Sequence, residues 1–396
     1  MPGERNRKKR GARPQWVRSF FYRLHRYAGL AAGLVFFITA VTGAMLVFED
    51  EIRRATHPHR YIVDVEGETR PIEANLAAAL AAVPEGQSSS LTLYADPARP
   101  YQFGVRDSSN TFYYVYTNPY TAAVIEVANP LHSVFSIAIR LHRFLLAGQT
   151  GKLIVGVSTV LVLSLMLSGL YLWWPRTKAV FSKRTRVKWA GTNWKRRAYD
   201  LHAVLGFYTM WILIITAATG LVWSFDVVED AVYWLGGGER SAPRPTSAVV
   251  DGMPVVGFNA AVAGIKAEIP HFTQIRMTIS SRPDGVVQGL VRTATSPHQS
   301  AYDRVYLDKY TGAHLRTDLH ADAPGGTKAR RLIYPIHVGS IFGLPSKIVV
   351  FLVCMVAATF PVTGVYLWFI RWRKRRSAKQ KRCSTERKAA QRKAVA

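Results

Sequence analysis

Only two cysteines stand in the 396 residues, Cys354 inside an apolar run and Cys383 in a basic tail. The two cannot form a disulfide framework, so the segments between the apolar runs are expected to carry no disulfide. No Gly-x-Gly-x-x-Gly turn opens a strand–helix unit and there is no P-loop; the glycine run GGGE at 236–239 falls in a loop outside the apolar runs. Cys-x-x-Cys, His-Glu-x-x-His and Gly-x-Ser-x-Gly are missing as well. The chain holds neither a nicotinamide nor a nucleotide by a motif of its own, so any electrons it moves come from a separate donor. Charge is absent from four long stretches, 27–48, 153–175, 201–225 and 348–370. A run of 22 residues makes a helix of about 33 Å, enough to cross a hydrocarbon core of ~30 Å. Spans this poor in acid do not suit a proton-coupled transporter or a metal permease.

What is abundant is positive charge, a net +27, and its location decides its meaning. The segments 1–26, 176–200 and 371–396 carry 30 of the 52 Lys and Arg but only Glu4, Asp200 and Glu386 among the acids. They hold the entire excess, which is the positive-inside pattern. The expected protein is therefore an α-helical, multi-pass protein of a bacterial inner membrane with both termini cytoplasmic. Its parts would be a basic N-terminus (1–26), transmembrane helices at 27–48, 151–175, 201–225 and 346–370, a basic loop (176–200) and a basic tail (371–396). Two periplasmic α+β modules with interfacial helices, 49–140 and 226–345, would lie between them. The tail RWRKRRSAKQKR (371–382) suits anionic lipid, and topology explains its charge without nucleic acid. The first span exceeds a signal-peptide core and has a near copy in mid-chain, so it reads as an uncleaved anchor.

The sequence is written twice. LHRYAGLAAGLVFFITAVTG (24–43) corresponds to LHAVLGFYTMWILIITAATG (201–220), and from His25 or His202 a Gly follows at +4 (Gly29, Gly206) and at +18 (Gly43, Gly220). From His142 and from His337 the offsets to Gly, Lys and Gly are again shared: Gly148, Lys152, Gly169 and Gly343, Lys347, Gly364. Both of those segments end in Tyr-Leu-Trp, at 171–173 and 366–368. The intervening modules match too, VYTNPYT (115–121) with VYLDKYT (305–311), each read as strand, tight turn, strand. A helical stretch precedes each, at 72–83 and 258–269. Two tandem copies that both begin and end in the cytoplasm are parallel repeats, related by an axis along the membrane normal.

LHRYAGL…TG, the ending SGLYLWWP and the turn VYTNPYT together resemble the PepSY-associated transmembrane family, over roughly Phe20 to Trp372. The resemblance implies periplasmic PepSY-like modules. It also implies an iron-uptake role as a siderophore–iron reductase carrying b-type haem.

The residues supply their own case. Eighteen residues make five helical turns, so His25, Gly29 and Gly43 share a face, as do His202, Gly206 and Gly220. Small residues let a helix or a flat macrocycle approach the backbone, and imidazole is a suitable axial ligand to haem iron. The repeat symmetry pairs His25 with His202 near one face and His142 with His337 near the other. The resemblance, not the spacing, implies haem b as the cofactor. Two bis-His haem b groups at these pairs would carry electrons outward to the acceptor it implies, ferric siderophore or another periplasmic acceptor, and the donor would be a quinol or a cytoplasmic flavoprotein. His132, ten residues before His142 and without a counterpart, is the alternative ligand at that site. Lys152, Lys347 and the pairs Arg140/Arg143 and Arg330/Arg331 are either interfacial anchors or contacts to haem propionates. His57 and His59 read as solvated loop in preference to a transient metal or substrate contact at the outer surface. The alternative function is a non-catalytic membrane protein whose modules bind or restrain a protein partner such as a protease.

Overall fold

In the computed structural model the described residues are 15–395, apart from Arg176 and Asp251. The side chains of 382, 383 and 386–395 lie outside that description, as do residues 1–14 of the basic N-terminal segment. Along the chain, α1 (Gln15–Val47) is followed by α2 (Glu49–Thr56), α3 (Ile72–Ala81) and the strands β1 (Gln87–Tyr94), β2 (Tyr101–Arg106), β3 (Phe112–Thr117) and β4 (Val124–Ala128). Then come α4 (Val134–Phe144), α5 (Gly148–Trp173), α6 (Lys178–Arg184), α7 (Trp194–Leu221) and α8 (Asp226–Leu235). The remainder is α9 (Phe258–Glu268), β5 (Phe272–Ile279), β6 (Val286–Thr293), β7 (Asp303–Asp308), β8 (His314–Asp318), α10 (Gly325–His337) and α11 (Leu344–Val395). Two compact units result: residues 1–44, 141–224 and 349–396, and residues 45–140 and 225–348.

The helical unit holds α1, α5, α7 and α11, the four helices long and apolar enough to cross a membrane. About a third or less of each helix's most apolar window is buried. Leu34, Leu153, Leu167, Trp211, Leu352 and Val362 stand exposed along the shafts, as side chains solvated by lipid would. Inside, Ala32, Ala40, Ala357 and Ala358 pack with Val162, Met166, Met210 and Leu213. Small residues permit close helix approach where lipid removes the hydrophobic drive. Hydroxyls in the shafts spend their protons on the preceding turn: Ser168 donates to Ser164 O (2.7 Å), Thr42 to Ile38 O (2.6 Å) and Thr363 to Thr359 O (2.9 Å).

The sheet unit is one antiparallel sheet in the order β4-β3-β2-β1-β5-β6-β7-β8. Strands β1 and β5 join at its centre, with Leu91 opposite Met277 and Leu93 opposite Ile275. Period-two alternation sends Leu91, Phe103, Val115, Ile275, Met277, Val291 and Val305 to one face, where α3 and α9 close a core that includes Ala79, Ala261 and Ile265. The two helix starts cap each other: Ile72 N–H donates to Asn259 Oδ1 (2.9 Å) and Asn259 N–H to Glu73 Oε1 (2.7 Å). Each VY…YT segment makes a tight turn by the same chemistry. Asn118 Oδ1 accepts from Tyr120 N–H (2.8 Å) and Asp308 Oδ1 from Tyr310 N–H (2.9 Å). Both tyrosine hydroxyls then reach a proline carbonyl at 2.9 Å, Pro97 and Pro283.

Candidate functional site

His25 and His202 each sit about a third of the way along their helices, α1 and α7, and their ring centroids lie 6.3 Å apart with the planes at 81°. Each imidazole is held from a different helix. His25 Nδ1 is 3.1 Å from Leu165 O and 3.1 Å from Ser168 Oγ. A carbonyl only accepts and Ser168 has already donated its proton, so the proton belongs on Nδ1. His202 Nδ1 lies 2.7 Å from Thr363 Oγ1, a hydroxyl that donates to its own helix, and the same conclusion follows. Fixing the proton on Nδ1 leaves a lone pair on Nε2, the arrangement by which proteins orient a metal-ligating histidine. Nε2 of His25 and of His202 makes no hydrogen bond among the described residues.

Behind each ring stands a glycine. A Cβ at Gly169 would fall 3.1 Å from His25 Cε1, and one at Gly364 would fall 3.8 Å from His202 Cε1. His142, on α4, repeats the pattern: Nδ1 donates to Thr39 O (3.0 Å) beside Thr42 Oγ1 (3.2 Å), and Gly43 faces its Cε1 at 3.2 Å. A Ser/Thr-Gly pair is thus a socket for an imidazole arriving from another helix. Gly43, expected on the His25 face, stands against the ring of His142. Gly220, in the equivalent Thr219-Gly220 pair, is not among the residues around His25 and His202. Gly29 and Gly206 are.

Around His25 and His202 is a cavity of about 630 Å³ walled by Phe36, Phe207, Phe360, Trp173 and Trp368. Trp173 and Phe207 stack at 3.9 Å. At Gly206 a Cβ would meet nothing within 4 Å, so the space beside it is open. Arg18, Arg26 and Arg371 also line the cavity, and the buried Nε of Arg26 has no acceptor.

These residues fit haem. An imidazole nitrogen binds a transition metal at ~2.0–2.1 Å, so two rings on opposite sides of one iron have centroids roughly 6.4 Å apart. No cluster of three or more His, Cys, Asp or Glu that could hold a metal occurs among the described residues. Two histidines hold iron well only if the remaining positions are filled by the group itself, as a macrocycle does. An orphaned arginine N–H suits a carboxylate substituent on such a group.

His337 is the last residue of α10, in the sheet unit. His132 lies in the 3-10 turn Pro130–His132 and lines a separate cleft in the sheet unit, described below. Lys347 is ion-paired with Glu51 (2.6 Å) and Arg330 with Glu229 (2.6 Å), so the structure gives both a carboxylate partner from the protein. Arg331 donates to Tyr302 O (3.1 Å) and lies 2.7 Å from His320 Nδ1. His59 meets Glu126 at 2.7 Å, and His57 borders the same cleft as His132.

That cleft, about 1,400 Å³, lies on the sheet face opposite the α3/α9 core and is bordered by α2 and the start of α4. Tyr94, Tyr114 and Tyr116 reach it by alternation, and so do Arg276 and Arg292. Burial pushes the Tyr116 phenol up to about 12, while Arg60 and His59 pull the Glu126 carboxyl down to about 2. These arginines carried no signal in the sequence beyond alternating with core residues.

A four-helix membrane protein with paired, tautomer-fixed histidines and an associated antiparallel sheet is the class that fold and site define. The chain belongs to the family described as the PepSY-associated TM region, whose model matches residues 22–371. No curated protein matches it.

Proposed function

We propose that the protein is an inner-membrane b-type haem oxidoreductase that passes electrons to an acceptor outside the membrane, ferric iron held by a siderophore. The observation that carries this reading is the His25–His202 pair, each imidazole anchored through Nδ1 and both lining one aromatic cavity. Bound there, haem would supply a one-electron couple suited to electron transfer. His25 and His202 would hold the iron. Ser168 and Thr363 fix their tautomers, Gly29 and Gly206 leave room against the helices, and the Arg26 side chain meets a carboxylate. His142, prepared in the same way, is the ligand candidate for a second haem. One electron converts the acceptor's Fe(III) to Fe(II), which hard oxygen donors hold less tightly, and the iron is released. The donor is a quinol or a cytoplasmic flavoprotein.

The test is an absorption spectrum of protein purified in mild detergent, before and after dithionite. A Soret band that sharpens on reduction, with resolved α and β bands, is expected, and H25A and H202A should each remove the same component. A featureless spectrum from folded protein produced with ample haem would overturn the reading. The partner-binding alternative would then take its place.

A further inference from the structure

Six arginines line the cleft of the sheet unit, Arg53, Arg54, Arg60, Arg99, Arg276 and Arg292, against three carboxylates, Glu49, Asp50 and Glu126. Two of the acids are already committed, Glu49 to Arg53 and Glu126 to Arg60. Arg54, Arg99, Arg276 and Arg292 therefore face the cleft with only Asp50 to offset them, an excess of three positive charges. Moreover, Nε of Arg99 and Nε of Arg292 are buried with no acceptor. Buried donors without acceptors are destabilising until a ligand supplies them.

Aromatic rings are interleaved with these cations. The Arg99 guanidinium stands 3.8 Å from the Tyr94 ring centroid and 5.5 Å from that of Tyr61. Tyr116, neutral at any physiological pH because its burial raises its pKa, offers a hydroxyl without adding negative charge. Flat π faces beside cations favour a ligand that is itself aromatic and anionic. The volume is larger than a lone phosphate needs.

We propose that this cleft binds a compact, multiply anionic complex of a trivalent metal with aromatic oxygen ligands, of the tris-catecholate kind, and disfavours uncharged chelates. Three doubly ionised catechols around a trivalent ion leave three negative charges, which match the excess in the cleft. The proposal deepens the reductase reading and rests on it for the purpose of binding, but not for binding itself.

The experiment uses the full chain in detergent and gallium(III) in place of iron, since gallium takes the same ligands and is not reduced. Binding of gallium tris-catecholate and of an uncharged gallium tris-hydroxamate is compared by fluorescence quenching. The catecholate complex is expected to bind about tenfold tighter or more at low ionic strength, with the gap narrowing in ~0.5 M salt. The double variant R276Q/R292Q should lose most of that preference while its circular dichroism and hydroxamate binding stay as in the parent. Equal binding of the two complexes, or a folded double variant with the preference intact, would overturn the proposal. So would displacement by an acidic peptide at lower concentration than the complex itself, which assigns the cleft to a protein partner. The parent protein separates the two ideas: a parent without haem that still binds gallium catecholate retains the cleft and counts against electron transfer. Haem-loaded protein that ignores both complexes does the reverse. H25A, which should lose haem, is expected to bind the complex as the parent does.

Discussion

A methyl group at position 169 would sit 3.1 Å from His25 Cε1, closer than nearly all such contacts, whereas one at 364 would sit 3.8 Å from His202 Cε1, at ordinary contact distance. Overpacking of the first kind typically costs about 1–3 kcal/mol, an effect of about fivefold to 150-fold on whatever the ring holds. G169A should therefore displace the imidazole and weaken retention of the reducible chromophore by roughly tenfold, while G364A leaves it nearly intact. Chromophore-to-protein ratio after a detergent wash separates the two; equal losses would mean that the sockets do not position the rings. The histidines themselves were legible in the sequence, because His25 and His202 occupy matched places in two copies of one phrase. Their sockets were not. Ser168-Gly169 lies 143 residues from His25 and Thr363-Gly364 lies 161 from His202, and nothing in a single sequence ties such pairs together. Gly169 and Gly364 were visible in the sequence only as matched offsets from His142 and His337, which says nothing of the rings of His25 and His202.

Among elements, β4 is an edge strand fastened to the 3-10 turn Pro58–Arg60 by the forked contact of Arg60 with Glu126. Glu126 is held near 2, below the ordinary carboxylate value, so its contribution to stability is complete above pH ~4.5 and disappears as pH falls through about 2. Because water reaches the pair, the contribution is modest, about 1 kcal/mol. E126A should lower the unfolding temperature at pH 6–7 and narrow its gap to the parent between pH 4.5 and 3. A constant gap across that range would mean the ion pair is not what fastens β4. Strands and turns were the most legible elements, since alternation and the Asn118 and Asp308 side chains act locally. Which strands become neighbours was not legible: the β1–β5 pairing depends on Leu91 and Met277 sharing one core under α3 and α9, and that is a property of the assembled layers.

At the scale of the whole molecule, the basic segments lie at the ends and in the middle of a chain with four apolar helices. If positive charge sets orientation, a cysteine placed at Ser384 will react with an impermeant thiol reagent only after the membrane is opened, and one at Thr121 will react in intact cells, both in a C354S/C383S background. The opposite pattern would invert the topology expected from the charge and with it the direction of the proposed electron transfer. The central seam of the sheet has a further consequence, which concerns time. Strand β1 ends at Tyr94 and its partner β5 begins at Phe272, so almost half of the chain must be made between them. At about 5–20 residues per second, the open edge of β1 waits some 10–35 s for its neighbour. Through that interval a hydrogen-bonding edge is free to pair with any other strand. Synthesis is therefore the stage at which this protein is most exposed to misassembly, and a slowed ribosome between residues 95 and 271 would lengthen the danger without altering one contact of the finished fold.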